Sequence, residues 1–179
     1  YSETDTVDYY PVNTGRYLKE KKDGTWWDSK KEYSYGGYYW KTKSIEKYNN
    51  GVLEGKSQYN TTNTRTSTIY VNGKKEGEEE VLEWNGDDYV LYEKNFYVGG
   101  ELDGVQKKYN VNNGKLTWQG VFDNGEVKEY KNWHENGKLM DSYRAPTATK
   151  QGFLKTFSNK GKLRYSHISS LTKDGEKKI

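Results

Sequence analysis

Residues 97–104 read YVGGELDG, residues 70–77 read YVNGKKEG and residues 48–55 read YNNGVLEG. Each is an aromatic residue, a glycine three positions later and a second glycine four positions after that. The residues involved are Tyr48, Gly51 and Gly55, then Tyr70, Gly73 and Gly77, then Tyr97, Gly100 and Gly104. A fourth copy begins at Phe122 and Gly125 but has Glu129 where the second glycine is due. A unit of 22 to 27 residues, one hairpin long, is the mark of a repeat array in which each unit buries its surface against its neighbours.

The copies belong to a wider punctuation. Turn-forming dipeptides fall at Asp23-Gly24, Gly36-Gly37, Asn50-Gly51, Asn72-Gly73, Asn85-Gly86, Gly99-Gly100, Asn113-Gly114, Asn124-Gly125, Asn136-Gly137 and Asp174-Gly175, with Lys160-Gly161 in a similar slot. Asn-Gly and Asp-Gly suit type I′ turns, whose two central residues both need positive φ and whose twist matches the strands they join. The second residues lie 13, 14, 22, 13, 14, 14, 11, 12, 24 and 14 positions apart. The two long intervals are double the others, so further reversals are expected at Asn60–Asn63 and near Ala145–Ala148. The fold implied is all-β: an elongated antiparallel meander of stacked hairpins over residues 20–179, preceded by an N-terminal segment, 1–19. EEEVLEW at 78–84 is the one stretch compatible with helix.

The aromatic–glycine units and NWHENGKLMDSY (132–143) resemble the bacterial variant of the MORN repeat across about residues 20–165. That resemblance implies a β-hairpin unit, hairpins stacked into an extended twisted sheet, and bacterial repeat proteins that are secreted or antitoxin-like. It implies an architecture and not an activity.

Composition agrees with a thin sheet. Hydrophobic residues make up 31% of the chain, and Leu, Ile, Val and Phe together number 29 of 179, too few for an aliphatic centre. Six Trp and 18 Tyr supply large rings instead. The repeat glycines therefore read as bare backbone over which a neighbouring ring is laid. Net charge is +3, with basic runs interrupted by acids, so a nucleic-acid partner is not expected. No run is long and apolar enough to span a membrane as a helix, and the absence of cysteine excludes disulfides. The chain opens on Tyr1 without an initiator Met, which fits removal of a secretory signal or a start within a longer chain.

Turn positions set the expected register. A loop at Gly36-Gly37 places Tyr35 opposite Tyr38, Tyr33 opposite Trp40 and Glu32 opposite Lys41. A loop at Asn124-Gly125 places Phe122 opposite Val127, Trp118 opposite Lys131 and Leu116 opposite Trp133, with Trp133 meeting Met140 in the next hairpin. Trp26 and Trp27 are adjacent, as are Tyr38, Tyr39 and Trp40, so rings must point to both faces of their strands. These five are the candidate binding residues; the bland reading is that both faces are covered, with residues 1–20 as part of the cover.

Chemistry finds little footing. His134 and His167 are the only histidines, with His134 expected across from Leu139; neither lies in a metal-ligand cluster, and no cofactor loop is present. The expectation is a non-enzymatic scaffold that binds another protein, secreted, periplasmic or on a cell surface, or acting as an antitoxin- or immunity-type binder. The competing expectation is a cell-wall or glycan-binding module using exposed Trp and Tyr, and a homo-oligomer through sheet edges is a further option.

Overall fold

A type I′ turn needs two consecutive residues at positive φ, and four of the expected dipeptides adopt it: Asn50-Gly51 (49° and 87°), Asn72-Gly73 (51° and 78°), Gly99-Gly100 (59° and 96°) and Asn124-Gly125 (50° and 78°). The computed structural model describes residues 16–34, 37–171 and 177–178. Its strands are β1 (Arg16–Leu18), β2 (Lys21–Ser34), β3 (Gly37–Asn49), β4 (Val52–Leu53), β5 (Gly55–Asn60), β6 (Thr64–Val71), β7 (Lys74–Lys75), β8 (Gly77–Trp84), β9 (Tyr89–Val98), β10 (Glu101–Leu102), β11 (Gly104–Tyr109), β12 (Leu116–Asp123), β13 (Glu126–Trp133), β14 (Leu139–Arg144), β15 (Gly152–Phe157), β16 (Leu163–Leu171) and β17 (Lys177–Lys178). All pairings are antiparallel and follow chain order, with β3 taking both β4 and β5, β6 both β7 and β8, and β9 both β10 and β11, so the described chain is one open sheet and contains no helix.

The meander reverses at Thr61–Asn63 and again between β14 and β15, where the doubled intervals require it. EEEVLEW lies in β8, because pairing with β6 and β9 overrides its local helix compatibility. Several expected turns are corrected. Asp23-Gly24 is inside β2, and the turn before it is Lys19-Glu20, two non-glycine residues held at φ 48° and 66°. Gly37 opens β3, so Tyr33 opposes Tyr38, Glu32 opposes Tyr39 and Lys31 opposes Trp40. Tyr35 and Gly36, like Asp174-Gly175, lie outside the described residues. Asn85, Asn113, Asn136 and Lys160 sit in longer loops, in which Asn85 and Asn110 accept backbone N–H groups as Asx turns.

The tight turns share one edge of the sheet and stack on one another. The Gly51 N–H donates to the Lys22 carbonyl (2.7 Å), Gly73 to Leu53 (2.9 Å), Gly100 to Lys75 (2.9 Å) and Gly125 to Leu102 (2.8 Å). A carboxylate from the preceding unit caps the other turn residue: Asp23 accepts from Asn50 N, Glu54 from Asn72 N, Glu76 from Gly99 N and Asp103 from Asn124 N. Each of these acids directly precedes a glycine at positive φ: Gly24, Gly55, Gly77 or Gly104. The acid and glycine form a two-residue irregularity that brings the acid under the next turn.

The glycines thus serve backbone conformation, which corrects the ring-cover expectation. A Cβ on Gly24 or Gly77 would meet nothing within 4 Å, and on Gly51 and Gly100 it would meet the stems of Lys21 and Lys74. The copy ending at Glu129 escapes the requirement because its irregularity is a one-residue bulge at Lys128. That bulge also moves Trp118 opposite Asn132 instead of Lys131, while Phe122 keeps Val127. His134 donates its N–H to the Lys138 carbonyl, closing a three-residue loop that puts Trp133 opposite Leu139, and a second bulge at Met140 follows before Asn132 meets Asp141.

Candidate interaction surface

Residues directly opposite each other in an antiparallel pair share a face, so the register sorts side chains into rows that cross the strands. One row contains Trp26 opposite Glu46, Ser57 opposite Thr68, Glu79 opposite Asn95 and Gln106 opposite Gly120. Trp26, Ser57, Thr68, Glu79, Asn95 and Gln106 are each 8% exposed or less, and Trp26 is the one buried hydrophobic residue among those described. Beside this row stand Tyr48, Tyr70, Tyr97 and Phe122, opposite Gly24, Gly55, Gly77 and Gly104 respectively.

A buried polar row persists only if its groups find partners. Gln106 uses both ends of its amide: Oε1 accepts the Phe96 N–H (2.7 Å), and Nε2 donates to the Phe96 (3.1 Å) and Asp103 (2.7 Å) carbonyls. Glu79 accepts from Asn95 Nδ2 (3.3 Å), the Tyr97 hydroxyl (3.2 Å) and Lys75 Nζ. The Lys75 ammonium also lies 4.7 Å from the Tyr97 ring centre. Burial lowers its pKa, but the Glu79 carboxylate outweighs that and the net shift is upward. Burial, aided by its bond to Glu46, pushes the Tyr48 hydroxyl up to about 12. The Asn50 N–H and then Arg16 hold Asp23 below the usual carboxylate range.

Two of the titratable groups already have partners. The most buried carboxylate is saturated by donors, and His134 Nε2 lies against the Phe157 carbonyl at 3.2 Å. Among the described residues no three His, Cys, Asp or Glu side chains converge on a metal-sized space, and no helix is long and apolar enough to cross a membrane.

The opposite, outer face has the reverse character. Here Lys56 opposes Ile69, Glu78 opposes Phe96, and Val105 opposes Val121. Val71 and Val98, two residues beyond Ile69 and Phe96 on the same strands, share that face. Ile69, Val71, Phe96, Val98 and Val105 are between 38% and 46% exposed. Between β5 and β11 the sheet therefore buries polar side chains on one face and presents apolar ones to water on the other.

The five sequence candidates divide. Trp26 is packed inside against Tyr17 (ring centres 4.8 Å apart, 73° between planes) and Lys22 and is 4% exposed. Trp27 is 40% exposed and begins an outer-face row through Ile45, Gln58, Ser67 and Glu80. The backbones of Tyr38, Tyr39 and Trp40 lie in β3, and their side chains fall outside what the structure describes.

Three features escaped the sequence reading. The repeated acid before the second glycine was visible at Asp23, Glu54, Glu76 and Asp103, but its role depends on which turn lies next to it. The true ring cover is at Gly120, where a Cβ would come within 2.5 Å of Trp118 and 2.8 Å of Phe122. A second repeat, Lys-x-aromatic followed by Gly-Lys-Leu, occurs at Lys107, Lys131 and Lys155 with a constant interval of 24 residues. Compared with known families and with curated sequences, the chain matches no family model and no curated protein.

Proposed function

We propose that this chain is a non-enzymatic repeat scaffold, built of MORN-like hairpins, that binds a protein partner through the outer face of its sheet. The observation that carries this reading is the exposure of Ile69, Val71, Phe96, Val98 and Val105 on one face whose geometry is fixed by paired strands, with Phe96 and Val105 bordering the same depression. Apolar side chains grouped in this way lose water-exposed area when a partner covers them, worth about 25 cal/mol per Å². A rigid sheet surrenders little conformational entropy on binding, so more of that gain reaches the affinity. The MORN-like pattern of the hairpins supports a secreted, periplasmic or cell-surface protein or, as the alternative, an antitoxin- or immunity-type binder.

Affinity capture from the source cells with wild type and with Phe96→Asp/Val105→Asp tests it. The wild type is expected to retain one defined protein and the variant, with unchanged circular dichroism, to lose it. Retention of the same protein by both forms overturns the assignment of the face.

A second reading, glycan binding, is favoured by one place on the inner face. Trp118 and Phe122, 6.2 Å apart and inclined at 55°, border a depression of about 490 Å³ that Glu93, Lys108 and Asn132 also line. Tryptophan fluorescence titrated with cell-wall fragments distinguishes it: a saturable change abolished by Trp118→Ala supports sugar stacking, and an unmoved spectrum removes it.

A further inference from the structure

One outer-face row runs without a break from β11 to β16. Lys107 opposes Gln119, Gln119 opposes Lys131, Lys131 opposes Ser142, Ser142 opposes Lys155, and Lys155 opposes Ser166. A lysine therefore stands on every second strand, with short polar side chains between. Strands lie about 4.8 Å apart, so the three ammonium stems rise at intervals of about 9.6 Å. Ser142 is 7% exposed and forms a floor between two of them.

Their charge is not compensated from within. Lys94, in the same row one strand earlier, is held by Glu78 at 3.1 Å and Glu80 at 3.6 Å. Lys75, Lys108 and Lys128 also have carboxylate partners. Among the described residues Lys107, Lys131 and Lys155 have none; Lys155 only lies over the Phe153 ring at 5.2 Å. Glu129, the acid in the neighbouring row, opposes Arg144. Two positions further along the lysines' own strands, Tyr109, Trp133 and Phe157 form an apolar border on the same face.

Resting on the reading of the outer face as a protein-binding surface, we propose that this row docks an acidic polypeptide segment of the partner, with carboxylates at about 10 Å intervals flanked by apolar side chains. A helix with Glu at every seventh position rises about 10.5 Å between them and keeps them on one side, close to the lysine interval. Nucleic acid fits less well: duplex DNA carries a charge about every 1.7 Å and offers no apolar flank to the aromatic border.

The probe is a fluorescein-labelled 22-residue helical peptide with Glu at positions 1, 8, 15 and 22 and Leu beside them, compared by anisotropy with its Gln counterpart. At 50 mM NaCl the Glu peptide is expected to bind at least tenfold tighter than the Gln peptide, and to lose that advantage at 300 mM. Lys107→Glu/Lys131→Glu/Lys155→Glu should lose the Glu peptide and gain the corresponding Lys peptide, a reversal that mere loss of folding cannot produce. If the triple variant is unstable, Lys131→Gln alone is expected to weaken the Glu peptide severalfold. Equal binding of Glu and Gln peptides overturns the inference, as does preferential binding of oligothymidylate or of phosphatidylserine vesicles. Should charge preference fail while Phe96→Asp/Val105→Asp still abolishes partner capture, the acidic-segment assignment alone falls.

Discussion

The Glu76 carboxylate accepts the backbone N–H of Gly99 at 2.7 Å, across 23 residues of chain, and so fastens one hairpin to the next. A hydrogen bond to a charged acceptor is worth more than a neutral one, though partial exposure trims it. Glu76→Ala should cost about 1 kcal/mol, read as a fall of roughly 2–4 °C in the melting temperature for a chain of this size. Glu76→Gln, which keeps the acceptor but not the charge, should recover part of the loss. An unchanged midpoint for Glu76→Ala would show that the cap contributes nothing.

Glycines in this sheet fail for two different reasons, and substitution separates them. Gly77→Ala meets open space but must hold φ at 74°, costing about 1–2 kcal/mol. Gly120→Ala has no such backbone demand and instead drives a methyl into the Trp118 ring, costing about 1–3 kcal/mol. A double-mutant cycle by urea unfolding should find strong coupling of Gly120→Ala with Trp118→Leu and none of Gly77→Ala with the same change.

The neighbouring tryptophans Trp26 and Trp27 should respond very unequally to truncation. Trp26→Ala removes the buried ring against Tyr17 and is expected to destabilise by about 3–5 kcal/mol. Trp27→Ala, on the outer face, should stay within about 0.5 kcal/mol. Comparable losses from both would contradict the assignment of faces.

Alkaline titration reports the inner face. Because the Tyr48 pKa is raised from 10.0 to about 12 in the folded protein, its contribution is complete below pH 10 and is lost as pH rises through about 12. Tyr59, Tyr97 and Tyr130 are shifted in the same direction, burial being the main cause. Absorbance at 295 nm should show a late-titrating group of tyrosines that shrinks with Tyr48→Phe and merges with the rest once the protein unfolds.

Asn50-Gly51, Asn72-Gly73 and Asn124-Gly125 announced the fold because their backbone requirement is local: positive φ at two adjacent residues is rare, and a hairpin is what it makes. The same logic missed Lys19-Glu20, which reaches the same positive-φ conformation without the usual residues. It misjudged Trp118 because the bulge at Lys128 shifts every pairing beyond it, and nothing in VFDNGEVKE marks where the extra residue goes; it misjudged Trp133 because the loop between His134 and Lys138 is one residue longer than a two-residue turn.

By itself, then, the amino-acid order determined that this chain reverses direction at regular intervals and forms antiparallel strands, since turn preference is a property of a few consecutive residues. Only the tertiary structure decided which face is buried, that polar Ser57, Glu79 and Gln106 occupy it, and that Phe96 and the Lys107–Lys131–Lys155 row face outward. Face and row depend on register across strands, and one displaced residue in a strand is enough to exchange inside for outside.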